Sequence, residues 1–347
     1  MATNDIFYCG LDVGGANTKY VILKRKNSKE MVTVESKSIY FPFWEKKNEF
    51  PDLIEGLVGS LEKKFSRVDF GITITAELSD AFETKKEGIE YIVRSFSEVT
   101  ASTPRFYTVN GSFLPPEKAI SNWLEIAASN WHATATIVGR FFLDALLVDI
   151  GSTTTDIIRI HKGKPFPQGS TDTKRLQTGE LVFVGALRTN LATLSNELLI
   201  DDVPTQTSTE FFACTADILR VLGKIKSEDY TIPTPDGKST SRKHCLGRIA
   251  RVVCADRNTL REEQITDLAR ELLFCLIQRI QQSVKRQVRP DLLWPPKCTV
   301  LAGIGAKTLG LDVVAEISPK ITYLSDIIGE KEAEIAPAYS VAFLLSV

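Results

Sequence analysis

Two stretches of the chain carry the residue types that grip phosphate. In residues 7–23 an apolar run ends at Asp12, turns through Gly14, Gly15 and Ala16, passes Asn17, Thr18 and Lys19, and resumes as a second apolar run. In residues 147–158 the same order recurs: Asp149, then Gly151, the hydroxyls of Ser152, Thr153, Thr154 and Thr155, then Asp156, Ile157 and Ile158. Each stretch predicts a β-hairpin with a tight glycine-containing turn. Such a turn directs several backbone N–H groups at one point, forming an anion nest. The hydroxyls add phosphate donors, and an aspartate at the strand end suits a hard metal ion. The candidate phosphate ligands are therefore Asp12, Gly14, Gly15, Asn17, Thr18 and Lys19 from the first turn. From the second they are Gly151, Ser152, Thr153 and Thr154. Asp12 and Asp149 are the candidate ligands for Mg2+. One such hairpin is common in proteins. Two copies, each with an acid on the strand end, predict two related lobes facing one cleft.

Other chemistry-bearing residues lie between and after these turns. Residues 68–75 alternate and predict a strand, immediately followed by Glu77 and Asp80. Ligands in open α/β sheets bind at the carboxyl ends of strands, so both acids stand where a base or metal ligand is wanted. The competing explanation is acids in a helix first turn. Lys85 and Lys86 then read as phosphate contacts or a solvated helix face. Phe41, Phe43 and Trp44 read as core packing or as a wall for an aromatic substrate. Lys174, Arg175 and Arg188 stand near hydroxyls and read as anion clamps or surface ion pairs. Late in the chain a buried strand breaks into Gly303-Ile304-Gly305-Ala306, and glycines at such a junction allow a ligand close to the backbone.

The elements that must hold these groups follow from periodicity. Helices are expected over residues 50–65, 87–97, 209–222, 244–255 and 265–288, the last stopping at Arg289-Pro290. Another starts at Pro115-Pro116, where proline suits the first turn. Residues 131–139 read as a strand or a helix, and residues 230–242 as an exposed loop. Further strands are expected at 33–39, 106–109, 298–303 and 321–324, and a closing helix over 333–347. The chain has 347 residues, 43% hydrophobic and 24% charged, with a formal net charge of −1. That length predicts two domains. The charge implies no general attraction to nucleic acid or an anionic membrane. Six cysteines form no C-x-x-C pair and read as reduced thiols in a cytoplasmic protein. The start of the chain lacks a basic and apolar leader, and no uncharged stretch is long enough to span a bilayer.

Asp12-Val-Gly-Gly, Asp149-Ile-Gly-Ser-Thr-Thr-Thr-Asp156 and Ala302-Gly-Ile-Gly-Ala306, in that order, resemble the actin, sugar-kinase and heat-shock ATPase superfamily. The resemblance implies an α/β fold of two ribonuclease-H-like lobes, the actin-like ATPase fold, with a central cleft. The first lobe would comprise 1–138 and 330–347, the second 139–329. The late motif has Gly303-Ile304-Gly305 where that superfamily has a glycine pair. Residues 10–19, 74–82, 149–156 and 185–189 together resemble the hydantoinase/oxoprolinase-related branch linked to tetrahydromethanopterin C1 transfer. The activity that this resemblance implies is the condensation of an aminomethyl-furanmethyl diphosphate with the phenol of tyramine, γ-glutamyltyramine or a tyrosine-type acceptor, releasing diphosphate. It belongs to methanofuran-type cofactor biosynthesis. Mg2+ and cations such as Lys19 and Arg188 would neutralise the leaving group. Glu77, Asp80 or Asp149 would be the base. Two alternatives stay open on the same fold. One is an ATP-dependent small-molecule kinase or hydantoinase-like ATPase, with Gly303 and Gly305 contacting adenosine. The other is a nucleotide switch that binds a protein partner. Homo-oligomerisation is left open.

Overall fold

The two hairpins become the frames of two sheets in the computed structural model, which describes residues 5–27, 30–288, 296–315, 317 and 320–347. The chain divides into two compact units. The first comprises Met1–Ala145, Ile160–Arg175 and Leu324–Val347; the second comprises Leu146–Arg159 and Leu176–Tyr323. The sequence reading set its boundaries at 138/139 and 329/330. The helix stop read at Arg289-Pro290 lies outside the described residues.

In the first unit, β1 (Phe7–Gly14), β2 (Asn17–Arg25) and β3 (Met31–Tyr40) form an antiparallel meander. β4 (Val68–Thr75) lies parallel to β1 on its other side, followed by β5 (Arg105–Tyr107) and the edge strand β6 (Phe113–Leu114). The order is β3-β2-β1-β4-β5-β6. β1 and β4 are near-continuous apolar runs, as strands covered on both faces require. Cys9, Leu11 and Val13 share one face and pack with Ile54, Val58, Leu61, Ile89, Ile92 and Phe96 from the helices Phe50–Lys64 and Lys85–Ser97. The opposite face receives the closing helix Ala336–Leu345. That helix comes so close that a Cβ on Gly10 would strike the Ala338 carbonyl and Ala342, and one on Gly71 would lie 2.9 Å from Val341 Cγ1.

In the second unit β7 (Ala145–Ile150) and β8 (Thr155–His161) are bonded neighbours joined by residues 151–154. β9 (Lys164–Pro165) pairs with Ile160 and His161 at the end of β8, which fall with it in the first unit, and β10 (Leu181–Val182) pairs with the start of β8. β11 (Glu197–Ile200) and β12 (Val203–Gln206) form a separate hairpin. β13 (Thr299–Ala302) runs parallel to β7, and β14 (Ile321–Tyr323) parallel to β13. The order β10-β8-β7-β13-β14 repeats β3-β2-β1-β4-β5 of the first unit. The long helix Glu262–Gln287 supplies the core stripe Ile265, Leu268, Leu272, Leu276 and Ile280.

Some elements differ from expectation for local reasons. Residues 130–141 are helical, one of the two readings left open for 131–139. The helix expected over 209–222 is only Thr215–Val221, because the Cys214 N–H donates to Asp217 Oδ2 (3.0 Å) and caps the chain there. The loop after Tyr230 is fastened from below: Arg248 donates to Asp236 Oδ1 (2.9 Å) and, from Nε and Nη2, to Asp217 Oδ1 (2.9 and 2.7 Å). Arg248 and Asp217 are both fully buried.

Candidate active site

The second turn is built by spending its carbonyls and sparing its amides. Gly151 N–H donates to the Thr154 carbonyl (2.9 Å), which closes the turn. The Gly151 carbonyl accepts from Ala186 N (2.9 Å), and the Ser152 carbonyl accepts from Leu187 N (3.0 Å) and Arg188 N (2.8 Å). The N–H groups of Ser152, Thr153 and Thr154 donate to no backbone carbonyl among the described residues. Unspent backbone donors beside side-chain hydroxyls make an anion site. The turns do not use left-handed backbone at their glycines: Gly14, Gly15 and Gly151 all lack a positive φ.

The segment below the turn is equally constrained. Gly185 N–H donates to Thr189 Oγ1 (2.9 Å), Thr215 Oγ1 donates to the Gly185 carbonyl (3.1 Å), and Thr155 Oγ1 donates to the Val184 carbonyl (2.8 Å). A Cβ on Gly185 would lie 2.6 Å from backbone atoms of Ser152 and Thr153. Arg188 follows, half-buried, and its guanidinium enters no ion pair among the described residues. β13 sets Ala302 opposite Asp149. Gly303 then takes φ +80°, and a Cβ there would strike Asp149 Oδ1 and the Ile150 carbonyl. Gly305 N–H donates to that same carbonyl (2.8 Å). Asp149, residues 151–154, Arg188, Gly303 and Gly305 therefore gather at one end of β7 and β13.

The first turn follows the same plan. The Gly15 and Ala16 carbonyls accept from Phe43 N and Phe41 N (both 2.9 Å), while their own N–H groups donate no backbone bond among the described residues. Gly15 has open space where a Cβ would stand. The register pairs Asp12 with Lys19 and Val13 with Thr18. Side chains alternate across a strand, so these pairs face opposite sides. Thr18 lies on the core side, fully buried beside Val13, whereas Lys19 and Asn17 are half-exposed. Asp12 is 8% exposed, and its Oδ1 has no hydrogen-bond partner among the described residues. Burial raises its carboxyl above the usual range, with Lys19 and Thr75 opposing.

Glu77 and Asp80 part company. The turn after β4 is closed by Ser79 N–H to the Ala76 carbonyl (3.0 Å). It leaves Asp80 exposed and Glu77 2% exposed. Neither caps the following helix, whose N-cap is Thr84, accepting from Glu87 N (3.1 Å). Burial pushes the Glu77 carboxyl up to about 7 against the opposing charge of Lys85. Lys85 Nζ lies 3.6 Å from Glu77 Oε1 and 2.5 Å from Asp172 Oδ2. A cavity of about 290 Å³ opens here, lined by Lys85, Trp123, Leu124, Ala127 and residues 171–173. The sequence does not single out Trp123 or Asp172 as site residues: Trp123 reads as part of a helix, and residues 171–175 read as polar, with Lys174 and Arg175 as their candidate anion ligands.

Other readings resolve differently. Phe41 and Phe43 are core residues, with the Phe43 and Phe50 ring centroids 4.6 Å apart. Only Trp44 is exposed, at the rim of a polar cavity of about 370 Å³ with residues 45–49 and Ala81. Arg175 is not a surface charge: it is buried with its guanidinium 4.1 Å from the Trp131 ring centroid. Lys86 and Lys174 are exposed. Cys9, Cys214, Cys245 and Cys298 are buried free thiols, and Cys254 is exposed. No cluster of three or more His, Cys, Asp or Glu side chains among the described residues could hold a metal. No helix among them is long and apolar enough to cross a membrane.

Two sheets of one strand order, each with an amide-sparing turn on its leading hairpin, define the actin-like ATPase fold shared by sugar kinases. Solved structures agree on that fold. A nucleotide-free acetone carboxylase matches with TM-score 0.58 over 97% of this chain and 70% of that one, at 10% identity. A ROK family glucokinase from Streptomyces griseus, in complex with glucose and AMPPNP, matches with TM-score 0.50 over 97% and 98%, at 13% identity. Within this fold, the hydantoinase/oxoprolinase family model matches residues 70–343, and the chain belongs to that family. It is 39% identical, over 98% of both chains, to the (4-{4-[2-(gamma-L-glutamylamino)ethyl]phenoxymethyl}furan-2-yl)methanamine synthase of Methanocaldococcus jannaschii. The protein of the same name from Methanococcus vannielii is 38% identical over 206 residues, 58% of this chain and 90% of that one.

Proposed function

We propose that this chain condenses an aminomethyl-furanmethyl diphosphate with the phenol of a tyramine-type acceptor and releases diphosphate. The step belongs to cytoplasmic methanofuran-type cofactor synthesis, linked to tetrahydromethanopterin C1 metabolism. The observation that carries this reading is the 39% identity, over nearly the whole of both chains, to a synthase named for such an aryl ether. The chemistry suits the residues. The phenol oxygen forms a bond to the furfuryl carbon while the bond from that carbon to diphosphate breaks, its electron pair leaving with diphosphate. Charge builds on the leaving group, so fixed donors and cations lower the barrier. The unspent amides of residues 152–154 and the Arg188 guanidinium are such groups.

The residues also fit Mg2+. That ion is commonly held by one or two carboxylates while substrate phosphate and water complete its shell. Asp12 offers a buried carboxylate oxygen without a hydrogen-bond partner among the described residues. Bound there, the ion would supply positive charge to the departing diphosphate. The test is incubation of the protein with aminomethyl-furanmethyl diphosphate, tyramine and Mg2+, following diphosphate release and the ether by mass spectrometry. Ether formation without ATP is the expected result. Phosphoryl transfer from ATP to a small-molecule alcohol, with no ether formed, would establish a kinase instead.

A further inference from the structure

We propose that the cavity lined by Trp123, Leu124, Ala127 and Lys85 binds the phenolic ring of the acceptor, and that Glu77 takes the phenol proton. This rests on the transferase reading above. The cavity measures about 290 Å³. That is the low end for small-molecule sites and suits one ring with a short chain. Its walls are of two kinds. Trp123, Leu124 and Ala127 give an aromatic and aliphatic side; the Lys85–Asp172 pair gives a charged side. A phenol has the same division, an apolar ring with one polar edge.

Glu77 does not itself line the cavity; it neighbours Lys85, which does. Its Oε1 is 3.6 Å from Lys85 Nζ, and its Oε2 is buried with no hydrogen-bond partner among the described residues. A buried acceptor left unsatisfied costs free energy, which a phenol O–H would recover. The wall and the acid are tied to the same strand end. Ala127 bridges to Ile74, and Ala128 N–H donates to the Ile74 carbonyl (3.0 Å), three residues before Glu77. Ala128 holds φ +49°, a conformation an alanine adopts only when its surroundings impose it. Gly88 completes the support: a Cβ there would lie 2.8 Å from Glu77 Cα, so only glycine lets the helix seat the acid this closely.

The step balances. The phenol proton passes to the Glu77 carboxylate, and the freed oxygen pair forms the ether bond as the diphosphate leaves with the electrons of its own bond. The Lys85 ammonium steadies the developing phenolate. A free phenol has a pKa of about 10, and burial has raised Glu77 toward it, to about 7, which narrows the proton-transfer gap.

The experiment compares wild type with Glu77→Gln, Glu77→Asp and Trp123→Leu, each checked for folding by thermal unfolding. Steady-state constants are measured for both substrates across pH 5–9, and tyramine binding is measured separately by calorimetry without the diphosphate substrate. Glu77→Gln is expected to lower kcat by about 10²–10⁴-fold and to abolish the acid limb of the pH profile. Glu77→Asp, which keeps a carboxylate should the amide fail to fold, retains that limb at reduced rate. Trp123→Leu is expected to raise the tyramine KM about tenfold or more, leaving the diphosphate-substrate KM within about twofold. Wild-type rate and pH profile in Glu77→Gln, or equal shifts of both KM values in Trp123→Leu, would overturn the assignment while the transferase reading stands. If wild type forms no ether, that reading fails. Calorimetry then decides the pocket alone: tyramine heat lost in Trp123→Leu supports it, and no tyramine binding to wild type overturns it.

Discussion

Gly185→Ala probes the second turn without touching any group that would meet substrate. The added Cβ would sit 2.6 Å from Ser152 C, Thr153 C and Thr153 N. Carbon contacts are comfortable at about 3.5 Å, so something must retreat by roughly 0.9 Å. The 185–188 segment cannot yield freely, because Leu187 N and Arg188 N hold the Ser152 carbonyl and the hydroxyls of Thr189 and Thr215 hold Gly185 itself. The strain therefore falls on the turn whose amides are proposed to grip diphosphate. Misplacing catalytic donors by about 1 Å costs on the order of 100-fold in rate, and overpacking a tight contact costs about 1–3 kcal/mol in stability. The assay is kcat/KM for ether formation together with diphosphate affinity by calorimetry, against a thermal-unfolding control. Both constants should fall by about two orders of magnitude in a protein that still folds. A folded Gly185→Ala variant within about threefold of wild type in both would refute the assignment of the turn.

Three other perturbations have signed outcomes. Asp217→Ala leaves the buried Arg248 guanidinium without its 2.9 and 2.7 Å bonds and removes the acceptor for Cys214 N, so urea unfolding should show a loss of about 3–5 kcal/mol; a loss below about 1 kcal/mol would contradict a fastening role. Asp12→Asn should abolish the extra thermal stabilisation that Mg2+ adds to diphosphate; an unchanged Mg2+ response would remove Asp12 from the metal site. Glu77 is raised from the ordinary value of 4.5 to about 7, so between those values the folded state holds a proton that the unfolded state has released. Stability should therefore fall as pH rises from about 4.5 to 7, and Glu77→Gln should flatten that slope when unfolding free energies are compared across pH. An equal slope in both proteins would show that Glu77 does not carry it.

Both turns, the strand at residues 68–75 and the family were legible because each rests on local order: apolar alternation, an acid at a strand end, glycine at a junction. The same local signals could not say which face a turn residue takes. Thr18 and Lys19 are neighbours in the chain, yet pairing with Val13 and Asp12 sends one hydroxyl into the core and leaves the cation beside the acid. Nor could they separate Phe41 and Phe43, which the helix Phe50–Lys64 claims for the core, from the exposed Trp44. Arg175 reads as an anion clamp or a surface ion pair because its sequence neighbours are polar, and no local signal shows that it is buried against Trp131.

By itself, then, the amino-acid order determined the fold class and the two glycine-containing turns, since hairpins and glycine junctions depend on residues within a few positions of each other. Tertiary structure alone decided which carboxylate is buried and which side chains surround it. Glu77 and Asp80 are indistinguishable by local position, and they diverge because Gly88 admits a helix against one while water surrounds the other. The partners that define that acid, Lys85, Asp172 and Trp123, come from segments as much as 95 residues away along the chain. No local pattern encodes such a meeting, because packing, and not sequence spacing, sets the distances between them.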